Sequence, residues 1–424
     1  MSRKIEAEPK SVFPDLNSSN RHRLALDVGT EFIKAVIVEY DEYNDRVVGV
    51  GRVRQEYGDM DGGAVANIEG VTKSAFKAIE EAIAQASVKP EEAMVGIAGE
   101  FVKGIKKTVH QERKNPEKKI DWAELKSLTQ KAQKEAMQDA KEQLSKETGF
   151  NKIDVELVNT AIVEVKIDGY KVSNPLEFQG RNVEITIFNT FAPLVHVGAL
   201  QTIVEELDFV LMGTVAEPYA VASGTITDEI YEFGAIIIDI GGGTTDIAVV
   251  RHGGVEGTKM FSMGGRAFTK TLAAGLNINL KKAEEVKLAY SAGQLVLEDR
   301  VKVQTCLKPN MEIWQNGVSM FLQELSEGKS LPTKICLCGG GSALPDILET
   351  LRNKDMYQDL PFARIPEIVV LGTEQVIGPQ DPKGLLKGQQ DVTPKSLAYQ
   401  TTITREKGGI LENILDKTLK FLNC

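Results

Sequence analysis

The chain has 424 residues, about three times the usual domain size, so several cores are expected rather than one. Hydrophobic residues make up 42% and charged residues 26%, which excludes collagen-like, coiled-coil and wholly disordered chains. With 50 basic against 60 acidic residues the net charge is −10, which argues against a protein that coats nucleic acid, so no nucleic-acid partner is expected.

Residues 1–20 mix charge, proline and serine without an apolar stretch, so they read as a disordered leader and not as a signal peptide. Leu24–Asp27 and Ala35–Tyr40 are short apolar strands flanking a tight turn. From Val71 to Ser87 the spacing is helical, with Val71, Ala75, Ala78, Ile79, Ala82 and Ile83 on one face. A basic run then carries Lys103, Lys106, Lys107, Arg113, Lys114, Lys118 and Lys119; in so acidic a chain it reads as a solvated loop and helix face. A charged helix follows from Asp121, its N-cap, to Glu147. Val155–Val158, Ile162–Ile167 and Val183–Phe188 read as strands around a turn at Asp168-Gly169. This α+β segment interrupts an alternating strand–helix pattern that resumes at Phe191.

Four cysteines, Cys306, Cys336, Cys338 and Cys424, are too few for a disulfide framework in a chain of this length. Cys336 and Cys338 are expected on one face of a strand as buried thiols. No run of 18 apolar residues appears, so no spanning helix is expected, and the chain reads as cytoplasmic.

Glycine stands at 38 residues, about 9% against a typical ~7%, and it concentrates in three turns. The first is Asp27-Val-Gly29-Thr30, followed by Lys34. The second is Asp239-Ile-Gly241-Gly242-Gly243-Thr244-Thr245-Asp246. Each has an apolar strand ending in Asp, then a glycine turn with a hydroxyl residue, then a second apolar strand. The third, Gly339-Gly340-Gly341-Ser342, follows the strand at Ile335 and leads into a helix from about Leu344 to Leu351. Such turns let backbone N–H groups converge on a phosphate without Cβ obstruction, and threonine hydroxyls add donors. An aspartate at each strand end can hold Mg²⁺ through its waters, because a hard cation prefers oxygen and keeps much of its hydration. The third turn, ending a strand and opening a helix, can turn its amides toward a nucleotide. Two similar hairpins half a chain apart therefore suggest two similar α/β halves closing on one nucleotide. Other nucleotide-binding patterns fit poorly. Gln323 stands where a P-loop before Gly328-Lys329-Ser330 needs its first glycine, and no Gly-x-Gly-x-x-Gly follows a strand.

Together these residues resemble the actin-like ATPase superfamily, and within it most closely the FtsA family of bacterial cell-division proteins. Asp27 to Thr30 is similar to that family's first phosphate loop and Asp239 to Thr245 to its second. Val215-Ala-Glu217-Pro218-Tyr-Ala220 resembles the connecting segment that begins a helix beside the γ-phosphate. Gly264-Gly265, the helix around Thr269 and Lys282-Ala283-Glu284-Glu285-Val286-Lys287 resemble the stretch whose Glu and Lys reach the ribose, and Gly339 to Ser342 resembles the adenosine loop. The insert is the discriminating feature, with Asp168-Gly169-Tyr and Asn174-Pro175-Leu176 similar to the FtsA turn into the next strand. Type IV pilus proteins of the PilM kind share it, and Lys34, seven residues after Asp27, fits their loop slightly better. Asn159-Thr160 also stands where FtsA proteins often have a histidine.

The resemblance implies an actin-like ATPase fold of the α/β class, with two similar α/β halves around a nucleotide cleft and an inserted α+β subdomain of FtsA type. The expected parts are 21–98 with 191–233 as the first half, 99–190 as the insert, 234–265 with 331–404 as the second half, 266–330 as a subdomain over the nucleotide, and 405–424 as linker and terminal helix. ATP and Mg²⁺ are the implied ligands. Asp27 and Asp239 would organise the ion and its waters, with Gly29, Thr30, Lys34, Gly241, Gly242, Gly243, Thr244, Thr245 and Gly265 around the phosphates. Glu284 and Lys287 would reach ribose and base, or form an exposed ion pair. Glu217 would position the attacking water, or simply start its helix.

On a helical wheel Ile410, Leu411, Ile414, Leu415, Leu419, Phe421 and Leu422 fall in one half-circle. Such a helix can lie in a membrane interface, as the equivalent FtsA tail does, or dock on its own domain. From Gly409 onward two acids offset two lysines, so charge contributes little to binding anionic lipid. The implied role is an ATP-binding scaffold that self-associates at the inner membrane face and receives the C-terminal tail of the tubulin-like FtsZ. A PilM-like adaptor binding a short peptide, and a kinase of the sugar-kinase branch, are the alternatives.

Overall fold

The computed structural model describes residues 21–41, 44–99, 102–251 and 253–404. The leader and the terminal segment 405–424, with the expected membrane-contacting residues Ile410 to Leu422, lie outside the described residues. No helix among the described residues is long and apolar enough to cross a membrane.

The first half begins with β1 (His22–Val28), β2 (Phe32–Glu39) and β3 (Arg46–Arg54), which form an antiparallel meander. A small hairpin of β4 (Met60–Asp61) and β5 (Ala64–Val65) leads to α1 (Ile68–Ala86). The six apolar residues expected on one face of α1 are all buried against the sheet. After α1, β6 (Glu92–Ile97) pairs parallel with β1.

The insert follows: β7 (Lys103–Glu112), α2 (Trp122–Thr148), β8 (Val155–Ile167), β9 (Tyr170–Lys171) and β10 (Asn182–Pro193). Asp121 caps α2 by accepting from the Glu124 amide at 3.0 Å. The sheet order is β7-β10-β8-β9, and α2 lies across it with Leu125, Leu128, Ala132, Ala136, Ala140 and Leu144 buried. Two expectations are corrected. The first part of the basic run is strand β7, not solvated loop, because acids on neighbouring elements match its lysines: Lys103 pairs with Glu147 at 2.6 Å and Lys107 with Asp139 at 2.8 Å. Residues 155–158 and 162–167 form one strand, with Val158 and Val163 bulged out of register with β10. The intervening polar residues are satisfied locally, Thr160 donating to Asn189 and accepting from Gln133 at 3.1 Å.

Next, α3 (Leu194–Glu206) returns to the first sheet beside α1, and β11 (Val210–Ala216) adds to it parallel with β6. Two helices, α4 (Glu217–Gly224) and α5 (Asp228–Phe233), lead to the second half. There β12 (Ala235–Ile240), β13 (Thr245–Arg251) and β14 (Gly254–Phe261) repeat the antiparallel meander. Three helices follow: α6 (Gly265–Gly275), α7 (Leu280–Ser291) and the long α8 (Leu297–Ser326). Then β15 (Lys334–Cys338) pairs parallel with β12, and β16 (Glu367–Val370) pairs parallel with β15. Cys336 and Cys338 are both buried in one cluster, as the alternation required.

The two five-stranded sheets have one topology. The orders β11-β6-β1-β2-β3 and β16-β15-β12-β13-β14 match strand for strand, in direction as well as sequence. The helix expected at Leu344 is a 3₁₀ turn over Gly340–Ala343 followed by α9 (Pro345–Arg352). The last helix, α10 (Val392–Ile403), follows the second half in sequence yet packs on the first sheet. Its Leu397 and Ala398 are buried with Ala25, Val36 and Val38, covering the face opposite α1. Each sheet is thus covered on both faces, which a sheet with parallel central strands requires.

Candidate functional site

Both hairpins come from strands buried along the residues that lead into the turn, Leu24–Leu26 and Ala235–Ile238, so each aspartate is delivered at a fixed depth. Asp27 is the sixth residue of β1 and Asp239 the fifth of β12, and both side chains are buried between the halves. A cavity of about 340 Å³ opens there. It is lined by Asp27, Gly29, Thr30, Lys34, Glu217, Asp239, Gly241, Gly242, Thr244, Gly265, Glu284, Lys287, Gly339, Gly340 and Gly341, so most of the expected site residues meet in one place.

Three expected residues stand apart. Gly243 lines a neighbouring cleft, and Thr30 lies between the two spaces. Thr245 is fully buried beneath the hairpin, donating to the Met263 carbonyl at 2.6 Å and accepting from the Trp314 indole at 3.0 Å. Ser342 turns its hydroxyl onto the Gly339 carbonyl at 2.7 Å. Both hydroxyls hold the turns in shape instead of facing the cavity.

The third turn sits tightly over the second hairpin. Gly339 has φ +82°, and a Cβ there would strike the Asp239 carboxylate and the Ile240 carbonyl, so only glycine fits. The amides of Gly339, Ser342 and Leu344 are already bonded to Gln389, Gly339 and Gly341 carbonyls. At Gly243 a Cβ would lie 2.6 Å from the Thr30 hydroxyl of the facing hairpin, which is how closely the two tips approach.

Glu284 and Lys287 are not an exposed pair. Lys287 bonds Glu284 at 2.8 Å, the Thr269 hydroxyl at 2.9 Å and the Gly265 carbonyl at 3.0 Å, with both side chains about nine-tenths buried. Glu284 also accepts from Thr269 at 2.5 Å. This network fixes the start of α6 against the cavity wall. Backbone bonds from Gly265 to Gly241 and from Arg266 to Gly242 tie the same helix start to the second hairpin.

Four carboxylates gather at the floor of the cavity. Asp27 is bonded by Lys34 at 3.3 Å, yet burial still pushes its carboxyl above the ordinary range. Asp239 is likewise raised by burial, against the opposing hydrogen bond from the Thr393 hydroxyl. Glu217, at the first turn of α4, is raised well above the usual value by burial and then by the charges of Asp27, Asp246 and Asp239. Asp246 is raised well above by burial and by Asp239, with one oxygen accepting from Thr244 at 3.1 Å. Asp246 Oδ1 and Glu217 Oε1 are buried without any hydrogen-bond partner. Buried acceptors of this kind are costly unless a donor or cation satisfies them.

The sequence analysis gave no role to Asp246, although its register opposite Asp239, three residues past the glycines, was the available signal. It also missed Gln390, whose carbonyl accepts from Lys34 at 2.6 Å, as well as Thr393 and the buried Asp391, which pairs with Arg52. These residues come from the chain just before and within α10, far from any motif. A last link between the halves is Glu31, beside the first hairpin, which pairs with Arg54 at 2.5 Å and with Arg266 of α6 at 2.7 Å. Asn159 of the insert accepts from the Ala216 amide at 2.8 Å, fixing the residue just before Glu217.

Comparison with known proteins gives the chain its family context. Residues 236–383 match the family model "Cell division protein FtsA". The cell division protein FtsA of Bacillus subtilis is 24% identical over 388 residues, covering 86% of this chain and 82% of that one. The cell division protein FtsA of Streptococcus pneumoniae is 22% identical, covering 94% and 87%. Among solved structures, a PilM–PilN type IV pilus biogenesis complex superposes with a TM-score of 0.63 at 16% identity, covering 89% of this chain and 98% of that one. The resemblance to FtsA proteins therefore extends along nearly the whole chain. The fold is actin-like, with two similar halves and the inserted α+β unit.

Proposed function

We propose that the chain is an actin-like cell-division scaffold that binds ATP with Mg²⁺ between its two halves. The reading rests chiefly on the convergence of two matched Asp-Gly hairpins and a third glycine turn on one cavity. The residues suit the ligand chemically. Two orphaned carboxylate oxygens and four carboxyls raised chiefly by burial call for a cation, and the hairpin tips offer glycine backbone to phosphate. Among the described residues no three Asp, Glu, His or Cys side chains are placed to ligate a metal directly. Asp27 and Asp239 would therefore hold Mg²⁺ through water, and the ion would supply charge neutralisation at the phosphates.

Gly29, Thr30, Gly241, Gly242 and Thr244 would cradle the phosphates, and Gly265, Glu284, Lys287, Gly339, Gly340 and Gly341 would face the nucleoside end. Lys34 bonds Asp27, opposing the upward push of burial on its carboxyl, and also donates to the Gln390 carbonyl. Glu217 would orient water by hydrogen bonding. Turnover of the nucleotide would be slow or absent.

The cellular role follows by likeness to the FtsA relatives. The protein would self-associate, lie at the cytoplasmic membrane face through residues 410–422, and hold the FtsZ C-terminal tail near the α6–α8 region. A pull-down with an FtsZ tail peptide against a type IV pilus peptide tests the pathway. Retention of the FtsZ peptide alone is expected, and retention of the pilus peptide alone would overturn it. Deleting Gly409–Cys424 should abolish vesicle pelleting, and unchanged pelleting would remove the tail from the account.

A further inference from the structure

The helix α4 is short, yet it stands between two cavities. Glu217, its first residue, lines the nucleotide cavity, while Tyr219 and Ser223 line a cleft of about 270 Å³ between the insert and the first sheet. A helix of 8 residues is marginal by itself, and Ala216, the residue before it, has no side chain to cap it with. What holds α4 in place must come from other parts of the chain.

The insert supplies that hold at two points. At the start of α4, Asn159 Oδ1 of β8 accepts from the Ala216 amide at 2.8 Å. Further along, Val221 and Ala222 are buried in one cluster with Phe188 of β10, and Val163 of β8 packs against the same cluster. The insert is itself seated on the second half. A Cβ on Gly104 of β7 would lie 2.4 Å from the Thr258 hydroxyl of β14 and 2.6 Å from the Phe188 ring, and Lys106 pairs with Glu327 just after α8. The Glu217 side chain has little room of its own, because a Cβ on Gly96 of β6 would lie 3.1 Å from its Cγ. A shift of α4 is therefore passed to the carboxylate and not absorbed by the side chain.

We infer that the insert positions Glu217: Asn159 fixes where α4 starts and Phe188 fixes its far half, so that displacing the insert displaces the carboxylate at the nucleotide cavity. Asn159 is a positioning residue, since it touches the residue before the helix and does not line that cavity. The hold on α4 stands by itself; only what it controls rests on the nucleotide reading above. By linkage the coupling runs both ways, so a nucleotide that orders Glu217 steadies β8 by the factor with which the insert steadies the site. The one hydrogen bond from Asn159 sets the scale of that factor at about fivefold.

The test is amide hydrogen exchange of the full chain, read by mass spectrometry with and without Mg²⁺–ATP, on the wild type, Asn159→Ala and Asn159→Asp. Without nucleotide, α4 of Asn159→Ala should exchange about fivefold faster than in the wild type, with β1 and β2 unchanged. Asn159→Asp keeps the acceptor oxygen and places negative charge near a helix start, where it is favourable, so it should restore the wild-type rate. With Mg²⁺–ATP, the wild type should gain protection in α4 and in residues 155–163 of β8, and in Asn159→Ala the gain should stop at α4. Unchanged exchange of α4 in Asn159→Ala would overturn the inference. So would acceleration shared equally by β1 and β2, acceleration that persists in Asn159→Asp, or protection of β8 that survives Asn159→Ala. A wild type that binds no nucleotide fails the nucleotide reading alone, and the nucleotide-free comparison still decides the hold on α4.

Discussion

The two hairpins are built on the same strands in the same order, yet they treat their aspartates in opposite ways. In the first, the residue across the ladder from Asp27 is Lys34; in the second, the residue across from Asp239 is Asp246. One half therefore carries its own countercharge, whereas the other sets a second acid against the first and leaves an oxygen of it unpartnered. Duplication supplied the frame, and a single register position divided the labour. The first hairpin holds its own countercharge, and the second leaves a buried carboxylate oxygen without a partner. On the proposed reading, the demand for Mg²⁺ would fall chiefly on the second half.

The largest expected effect comes from breaking the self-sufficient side. Lys34→Met leaves Asp27 buried without its partner and should cost about 3 kcal/mol of stability, read by chemical denaturation. Adding Asp27→Asn to Lys34→Met should recover part of that loss, and a strictly additive pair would contradict the coupling. The opposite side should respond with the opposite sign. Asp246→Asn removes a buried acid whose ionisation burial and Asp239 oppose, and should raise the Tm of the nucleotide-free protein by about 2–4 °C, while weakening Mg²⁺–ATP binding at least tenfold.

The same contrast predicts a pH dependence. Burial raises the carboxyls of Glu217 and Asp246 in the folded state, so the folded protein keeps protons that the unfolded chain has already released. Stability of the nucleotide-free protein should therefore fall as pH rises from the ordinary carboxylate range, about 4, through the raised values. Asp246→Asn should flatten this slope, and a slope unchanged by the substitution would assign it to other groups. The smallest effect is expected from Thr393→Val, which removes one hydroxyl from Asp239 and should cost about 1 kcal/mol.

How far the sequence announced all this depends on distance along the chain. Asp27–Thr30, Asp239–Thr244 and Gly339–Gly341 were legible because each packs its chemistry into a few residues and the three occur as a set, although any one glycine turn alone is more often a plain loop. The duplicated sheets were legible for the same reason, since each hairpin marks its own meander. Thr393, Gln390 and Asp391 were not, because they reach the site by the path of α10, which crosses from one half to the other, and no local pattern encodes that crossing. Asp246 was in plain view but looked like an ordinary strand residue until the register placed it opposite Asp239. The basic run misled because lysines read as solvated until their partners on α2 are in place. Strand β8 read as two because Asn159 and Thr160 interrupt its apolar alternation, although both are satisfied inside the fold.

The central claim is that two hairpins close on a single Mg²⁺–nucleotide. Isothermal titration of Mg²⁺–ATP into the wild-type chain and into the Asp27→Ala, Asp239→Ala double variant, with circular dichroism as the check on folding, tests it directly. One site per chain in the wild type, with affinity lost by at least a hundredfold in a folded double variant, is the predicted result. Retained affinity in that variant, or no nucleotide binding by the wild type, would contradict it.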